Sequence, residues 1–214
     1  MGREKHAAWM EQTGLIAIVR LDSASELVPV AKAIAAGGVS VIEFTMTTPG
    51  ALRTIEEAAL ELGGEVLIGA GTVLDAETAR AAILAGAEFI VAPTLSPKVI
   101  EMCHRYDKVV VPGAYTPTEI LTAWELGADF VKLFPAEIGG PAYLKAVRAP
   151  LPQVRLVAVG GVSVGTAGEF IRAGAAALGV GSNLVNKKVV AEKRFDDLTA
   201  AARALSQAVH EART

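Results

Sequence analysis

The sequence predicts a (β/α)₈ barrel, eight parallel strands each followed by a helix, formed as a single domain over residues 1–214 with an N-terminal capping helix. Three observations predict it. First, a pattern repeats: Gly38-Val-Ser-Val-Ile-Glu43, Gly86-Ala-Glu-Phe-Ile-Val91, Gly127-Ala-Asp-Phe-Val-Lys132 and Gly174-Ala-Ala-Ala-Leu-Gly179 begin 48, 41 and 47 residues apart. Each follows an Ala-rich helical run, so each glycine ends a helix and the next residues open a strand. Second, four more apolar runs lie between them, at 15–20, 66–72, 109–113 and 154–161. Strands alternating with helices imply right-handed crossovers and a parallel sheet. Third, eight such units in about 200 residues fit the low end of the size range of a closed barrel better than an open doubly wound sheet.

Taken in order, residues 1–14 form the capping helix, and the first strand ends in Arg20, at the end where barrel active sites open. A helix over 27–36 leads into the second strand, which carries Glu43. The third holds Gly69-Ala-Gly-Thr72, two glycines that let a ligand approach the backbone closely. A helix over 76–85 leads to the fourth strand, and the fifth follows at 109–113. In the sixth, Phe130, Val131, Leu133 and Phe134 read as a strand buried on both faces, with Lys132 in its middle. Glycine pairs follow the last two strands, as Gly160-Gly161-Val162-Ser163 and Gly179-Val180-Gly181-Ser182-Asn183, and residues 189–214 form the last helix.

The totals exclude several functions. A net charge of −3 offers no basic patch, so nucleic acid is not an expected partner. No run of 18 apolar residues appears and the N-terminus lacks a signal-peptide core, so the expectation is a cytoplasmic protein without a membrane partner. Cys103 is the only cysteine, which rules out an internal disulfide and a Cys-based metal cluster. His6, His104 and His210 fall on expected helices away from strand ends, so no metal site is expected.

Lys132 is the residue to explain. A lysine is almost never buried unless it is paired or its pKa falls until it is neutral. It either faces outward with its amine reaching solvent, or faces the barrel interior as a Schiff-base nucleophile, its amine depressed by Val131, Leu133 and Phe134. Barrel interiors are layered, each layer drawn from alternate strands. Glu43, Val91, Lys132 and Gly179 hold the same place in the four repeats. Glu43 and Lys132 therefore face one cavity if either points inward, with Gly179 leaving room beside them. Glu43 is then a proton-transfer carboxylate, or a structural partner of Lys132 or Arg20. Arg20 suits a substrate carboxylate or phosphate, or a rim salt bridge; Thr72 suits a ligand contact or a helix cap. The two Gly pairs, at the two strand ends that build phosphate sites in this fold, suit backbone amides meeting a dianion.

Together Ile16-Ala-Ile-Val-Arg20, Val41-Ile-Glu43, Ile68-Gly-Ala-Gly-Thr-Val73, Pro112-Gly-Ala-Tyr-Thr-Pro-Thr-Glu119, Val131-Lys-Leu-Phe-Pro-Ala136 and the Gly160-Gly161 to Gly181-Ser182 segment resemble the 2-keto-3-deoxy-6-phosphogluconate aldolases, from about Gly14 to Val185. The resemblance implies a metal-free and cofactor-free class I aldolase, usually a homotrimer. It would cleave a phosphorylated 2-keto-3-deoxy sugar acid to pyruvate and glyceraldehyde 3-phosphate, and 4-hydroxy-2-oxoglutarate to pyruvate and glyoxylate. It makes Lys132 the Schiff-base lysine, Glu43 the proton-transfer residue and Thr72 a contact to the pyruvate carboxylate. Gly161, Gly181 and Ser182 become the phosphate site, and Arg20 a substrate-contacting arginine of some members. Thr47 stands where many members carry Arg, leaving the carboxylate to Thr72, backbone amides or Arg20. Val159 stands where gluconate-type members carry Thr, as in members acting on the galactonate epimer. The competing readings are a non-catalytic phosphate-sugar binding barrel and another phosphate-binding barrel enzyme, a decarboxylase or a synthase of the tryptophan or thiamine pathways.

Overall fold

In the computed structural model, which describes residues 2–214, the four repeated glycines are all left-handed: Gly38 has φ 93°, Gly86 104°, Gly127 87° and Gly174 103°. A side chain would be strained there, and the left-handed turn brings free amides back to the last helical carbonyls. The Ala87 amide donates to the Ala82 carbonyl and the Gly86 amide to that of Ile83; the same pair of bonds recurs at 123–128 and at 170–175. The sequence repeat is therefore a helix stop that opens directly into a strand.

The chain runs α1 (Arg3–Thr13), β1 (Leu15–Val19), α2 (Leu27–Ala36), β2 (Val41–Thr45), α3 (Ala51–Leu62), β3 (Leu67–Gly71), α4 (Ala76–Leu84), β4 (Phe89–Val91) and α5 (Pro97–Arg105). It continues through β5 (Val109–Val111), β6 (Gly113–Ala114), α6 (Pro117–Glu125), β7 (Val131–Leu133), α7 (Gly140–Arg148), β8 (Leu156–Val159), α8 (Val164–Arg172), β9 (Ala177–Val180), α9 (Lys187–Ala191) and α10 (Phe195–Arg213). All paired strands are parallel, in the order β5-β4-β3-β2-β1-β9-β8-β7-β6. Nine strands stand where eight were expected because the fifth breaks at Pro112, which has no amide to donate. Its first piece pairs with β4 and its second with β7. Backbone bonds from Lys132 to Pro112 at 2.9 Å and from Phe134 to Ala114 at 3.1 Å close the barrel.

Side chains alternate between the barrel interior and the helical layer, as a two-residue strand period requires. Ile16, Val41, Leu67, Phe89, Val109, Phe130 and Ala177 fill the interior, and Ala7 and Met10 of α1 plug its N-terminal end. Met1, which the sequence reading included in the capping helix, lies outside the described residues. Phe89 and Phe130 are both fully buried, each worth about 1.5–3 kcal/mol.

Three expectations are corrected. The sixth strand is not buried throughout: β7 ends at Leu133, and Phe134, past the last barrel layer, is 38% exposed at the mouth. Val131 and Leu133 belong to the core between barrel and helices, on the face opposite the Lys132 side chain, so they do not surround its amine. Residues 189–214 are not one helix. Glu192, Lys193 and Arg194 offer no apolar face to bury, Lys193 turns left-handed at φ 55°, and the chain re-enters a helix as α10 to bury Leu198, Ala202 and Leu205.

Candidate active site

Towards the C-terminal end of the strands the interior stops being filled. A Cβ on Gly71 would fall on the Glu43 carboxylate, one on Gly69 on the Phe89 ring, and one on Gly113 on the Pro93 carbonyl. Gly71 and Gly69 let long side chains from the adjacent strands lie across the barrel, and Gly113 lets two backbone segments approach closely. Gly179 behaves differently from expectation: the space beside it is taken by Val159 and Ile18, although its backbone still faces the opening.

The opening is a cavity of about 660 Å³. Arg20, Glu43, Thr72, Lys132, Gly161, Gly181 and Ser182, all seven residues singled out from the sequence, line it. So does Phe134, expected from the sequence beside the Lys132 amine, and so do Pro93, Glu137, Asn183 and Lys187, to which the sequence assigned no role. Asn183 stood in the Gly-Ser-Asn motif; the others carried no pattern that separates them from ordinary loop residues.

Lys132 comes from the middle of β7 and points inward, 6% exposed, while Glu43 on β2 is 2% exposed. Val91 joins the interior cluster, and Gly179 pairs with Val159 of that cluster, so both also face the barrel interior. Among the described residues no ion pair within 4 Å involves either charge, which removes the purely structural pairing as the reason for their burial. Burial pushes the Lys132 amine below its ordinary value; Glu43 opposes this and Arg20 adds to it. Burial likewise raises the Glu43 carboxyl, against the pull of Lys132 and Arg20. Burial thereby favours the neutral amine that a nucleophile requires, and makes the Glu43 carboxylate a stronger base for the proton it has to take and return. The Phe134 ring, its centroid 4.7 Å from the Lys132 amine, covers it at the mouth.

Arg20 donates to the Thr72 hydroxyl at 3.3 Å. Thr72 sits at φ 60°, a conformation that a β-branched residue rarely adopts, so its hydroxyl is held in place at a cost in backbone strain. The helix-cap alternative for Thr72 falls away, because Asp75 caps α4 through the Thr78 amide. Thr47 bonds the Thr45 hydroxyl at 3.1 Å and is not part of the cavity lining. On the far side, Gly161 is left-handed at φ 69°, packed so that a Cβ would strike the Glu137 side chain. Asn183 ties the two Gly-rich loops together by donating to the Val162 carbonyl at 2.8 Å. Ser163 is used in capping α8 with Thr166, while Gly160, Gly161 and Gly181 line the cavity. Among the described residues no three His, Cys, Asp or Glu side chains gather as a metal ion would need.

The family model described as KDPG and KHG aldolase matches residues 7–201. A 2-dehydro-3-deoxy-phosphogluconate aldolase of Treponema pallidum is 35% identical over 201 residues, covering 94% of this chain and 95% of the relative. A 2-dehydro-3-deoxy-6-phosphogalactonate aldolase of Escherichia coli K12 is 35% identical over 202 residues, covering 94% and 98%. A crystal structure of a KDPG aldolase from Legionella pneumophila, with pyruvate captured as a covalent carbinolamine, superposes with a TM-score of 0.87 at 26% identity, covering 93% of this chain and 97% of that one.

Proposed function

This chain belongs to the KDPG and KHG aldolase family, and from that premise we propose that it is a class I aldolase whose Lys132 forms the Schiff base and whose Glu43 moves the protons. The substrate is 2-dehydro-3-deoxy-6-phosphogluconate, cleaved to pyruvate and glyceraldehyde 3-phosphate, with 4-hydroxy-2-oxoglutarate as a second substrate. The observation that carries the reading is a lysine amine, 6% exposed and without an ion pair within 4 Å among the described residues, sharing a cavity with a 2% exposed carboxyl group.

Neutral Lys132 attacks the C2 ketone, and the carbinolamine loses water to give an iminium that draws electrons. Glu43, directly or through one water molecule, takes the proton of the C4 hydroxyl. The C3–C4 bond breaks, its electron pair moving into the enamine as the aldehyde leaves. Glu43 returns the proton to C3, and hydrolysis of the imine frees pyruvate and the amine. Arg20 and Thr72 hold the keto acid carboxylate, and the amides of Gly161, Gly181 and Ser182 the phosphate.

Borohydride reduction in the presence of pyruvate, followed by peptide mass spectrometry, tests the reading. A reduced pyruvyl adduct on Lys132 is expected. An adduct on Lys98 or Lys145 instead, or none on folded protein, rejects it and favours a non-catalytic binding barrel. A second reading, preference for the galactonate epimer, is favoured by Val159, whose methyl groups line the cavity where a threonine would offer a hydroxyl. Competition between the two epimers measures it directly, since such a pocket change shifts preference without abolishing either. The same family reading carries a homotrimer in the cytoplasm, and sedimentation equilibrium at three times the chain mass would bear on the assembly.

A further inference from the structure

Among the described residues lining the cavity, three carry cationic side chains: Arg20, Lys132 and Lys187. Two are accounted for by the aldol chemistry. Lys132 has to lose its proton, and Arg20 is bonded to Thr72 and acts on Glu43. Lys187, a lining residue beyond the Gly181-Ser182 loop, pairs its amine with Asp22 at 2.5 Å. That ion pair is open to water, its side chains 58% and 85% exposed, so solvent screens it and it is easily exchanged.

The phosphate end also carries an opposing charge. Glu137 stands behind Gly160 and Gly161, its Oε2 3.5 Å from where a Gly160 Cβ would lie. A dianion seated on the amides there meets a carboxylate, which weakens binding unless a cation lies close by.

We infer that Lys187 is a phosphate-binding side chain that changes partners, leaving Asp22 when the phosphorylated end of the substrate enters and offsetting Glu137. The inference takes the phosphorylated substrate from the aldolase reading above. A lysine suits this task, because its ammonium is a compact charge on a flexible stem and needs no fixed bidentate geometry. The amides supply directional hydrogen bonds; Lys187 supplies charge. Asp22 then has two effects: it holds the amine at the mouth, and it competes with the phosphate for it.

Isothermal titration with inorganic phosphate tests this without requiring turnover. Lys187→Met is expected to weaken phosphate binding about tenfold, the scale of one lost charge-assisted contact. Asp22→Asn is expected to tighten it, and in the Lys187→Met background that gain is expected to shrink to less than half, the coupling that partner exchange requires. With the phosphorylated substrate, Lys187→Met acts through KM and not kcat. Wild-type phosphate affinity in Lys187→Met, an undiminished Asp22→Asn effect in the double variant, or no saturable phosphate binding by the wild type each overturns the inference. Lys187-dependent phosphate binding in a protein that fails to cleave the sugar acid would reject the aldolase reading alone. Full turnover with phosphate binding indifferent to Lys187 would reject this inference alone.

Discussion

At the N-terminal end of the barrel, Asp129 accepts from Arg3 at 2.8 Å and from the Val110 amide at 2.9 Å, and Lys108 donates to Glu88 at 2.6 Å. At the C-terminal end, Glu43 and Lys132 are as buried as Asp129, and among the described residues neither has an ion-pair partner within 4 Å. The two ends share the same strands, so the difference lies in what the charges are for. Paired charges fasten α1 under the barrel and satisfy a buried acid. Unpaired ones weaken the fold, and a protein keeps them where chemistry needs a displaced pKa.

The sharpest way to break the comparison is Lys132→Met. Turnover is expected to fall on the order of 10⁴-fold or more, as for loss of a nucleophile, and the borohydride adduct to vanish. Thermal stability is expected to rise, because an unpaired buried amine gives way to an apolar chain of similar length. The sign follows from linkage. The folded pKa of Lys132 is lowered from 10.5, so between the two values the unfolded chain binds the extra proton and wild-type stability rises with pH. Lys132→Met lacks that rise. A lower melting temperature in the variant would mean that the lysine is structural after all.

Glu43→Gln is the next largest effect, with turnover down by about 10²–10⁴-fold. The Glu43 pKa is raised from 4.5, so the folded state keeps a proton that the unfolded state has lost, and wild-type stability falls as pH rises through that window. The variant is therefore expected to gain on the wild type as pH rises past 4.5. Melting curves on either side of that window test it. At the opposite end of the barrel the expectation inverts. Asp129→Ala strands Arg3, 27% exposed, and the Val110 amide, for a loss of about 2 kcal/mol by chemical denaturation with kcat/KM unchanged.

These contrasts are partly legible in the amino-acid sequence. The glycine repeat located four strands and put Glu43 and Lys132 in one layer, because helix stops and strand alternation are local rules. What surrounds Lys132 was not legible. Its chain neighbours Val131 and Leu133 looked like its shelter, yet alternation sends them to the other face. Glu43 lies over Gly71, although its register partner is Gly69, because its side chain leans along the strand, which no spacing in the sequence reveals. Lys187 and Asp22 are 165 residues apart and meet only once the barrel closes β9 beside β1.

The smallest expected effect bears on how the active end keeps its unpaired charges usable. Arg20 is exposed, yet its guanidinium lowers the pKa of both Lys132 and Glu43. For the lysine this adds to burial; for the glutamate it opposes burial. Arg20→Met should therefore move the ascending limb of kcat/KM, which reports Lys132 losing its proton, to higher pH, whereas Arg20→Lys should leave it nearly in place. Because the guanidinium lies in water, salt screens it, so raising ionic strength should shift the wild-type limb in the same direction and leave Arg20→Met little changed. A limb that ignores both the substitution and the salt would mean that burial alone depresses the amine. Arg20 would then contribute through its bond to Thr72 and its grip on the substrate carboxylate, and the variant would show a raised KM at every pH.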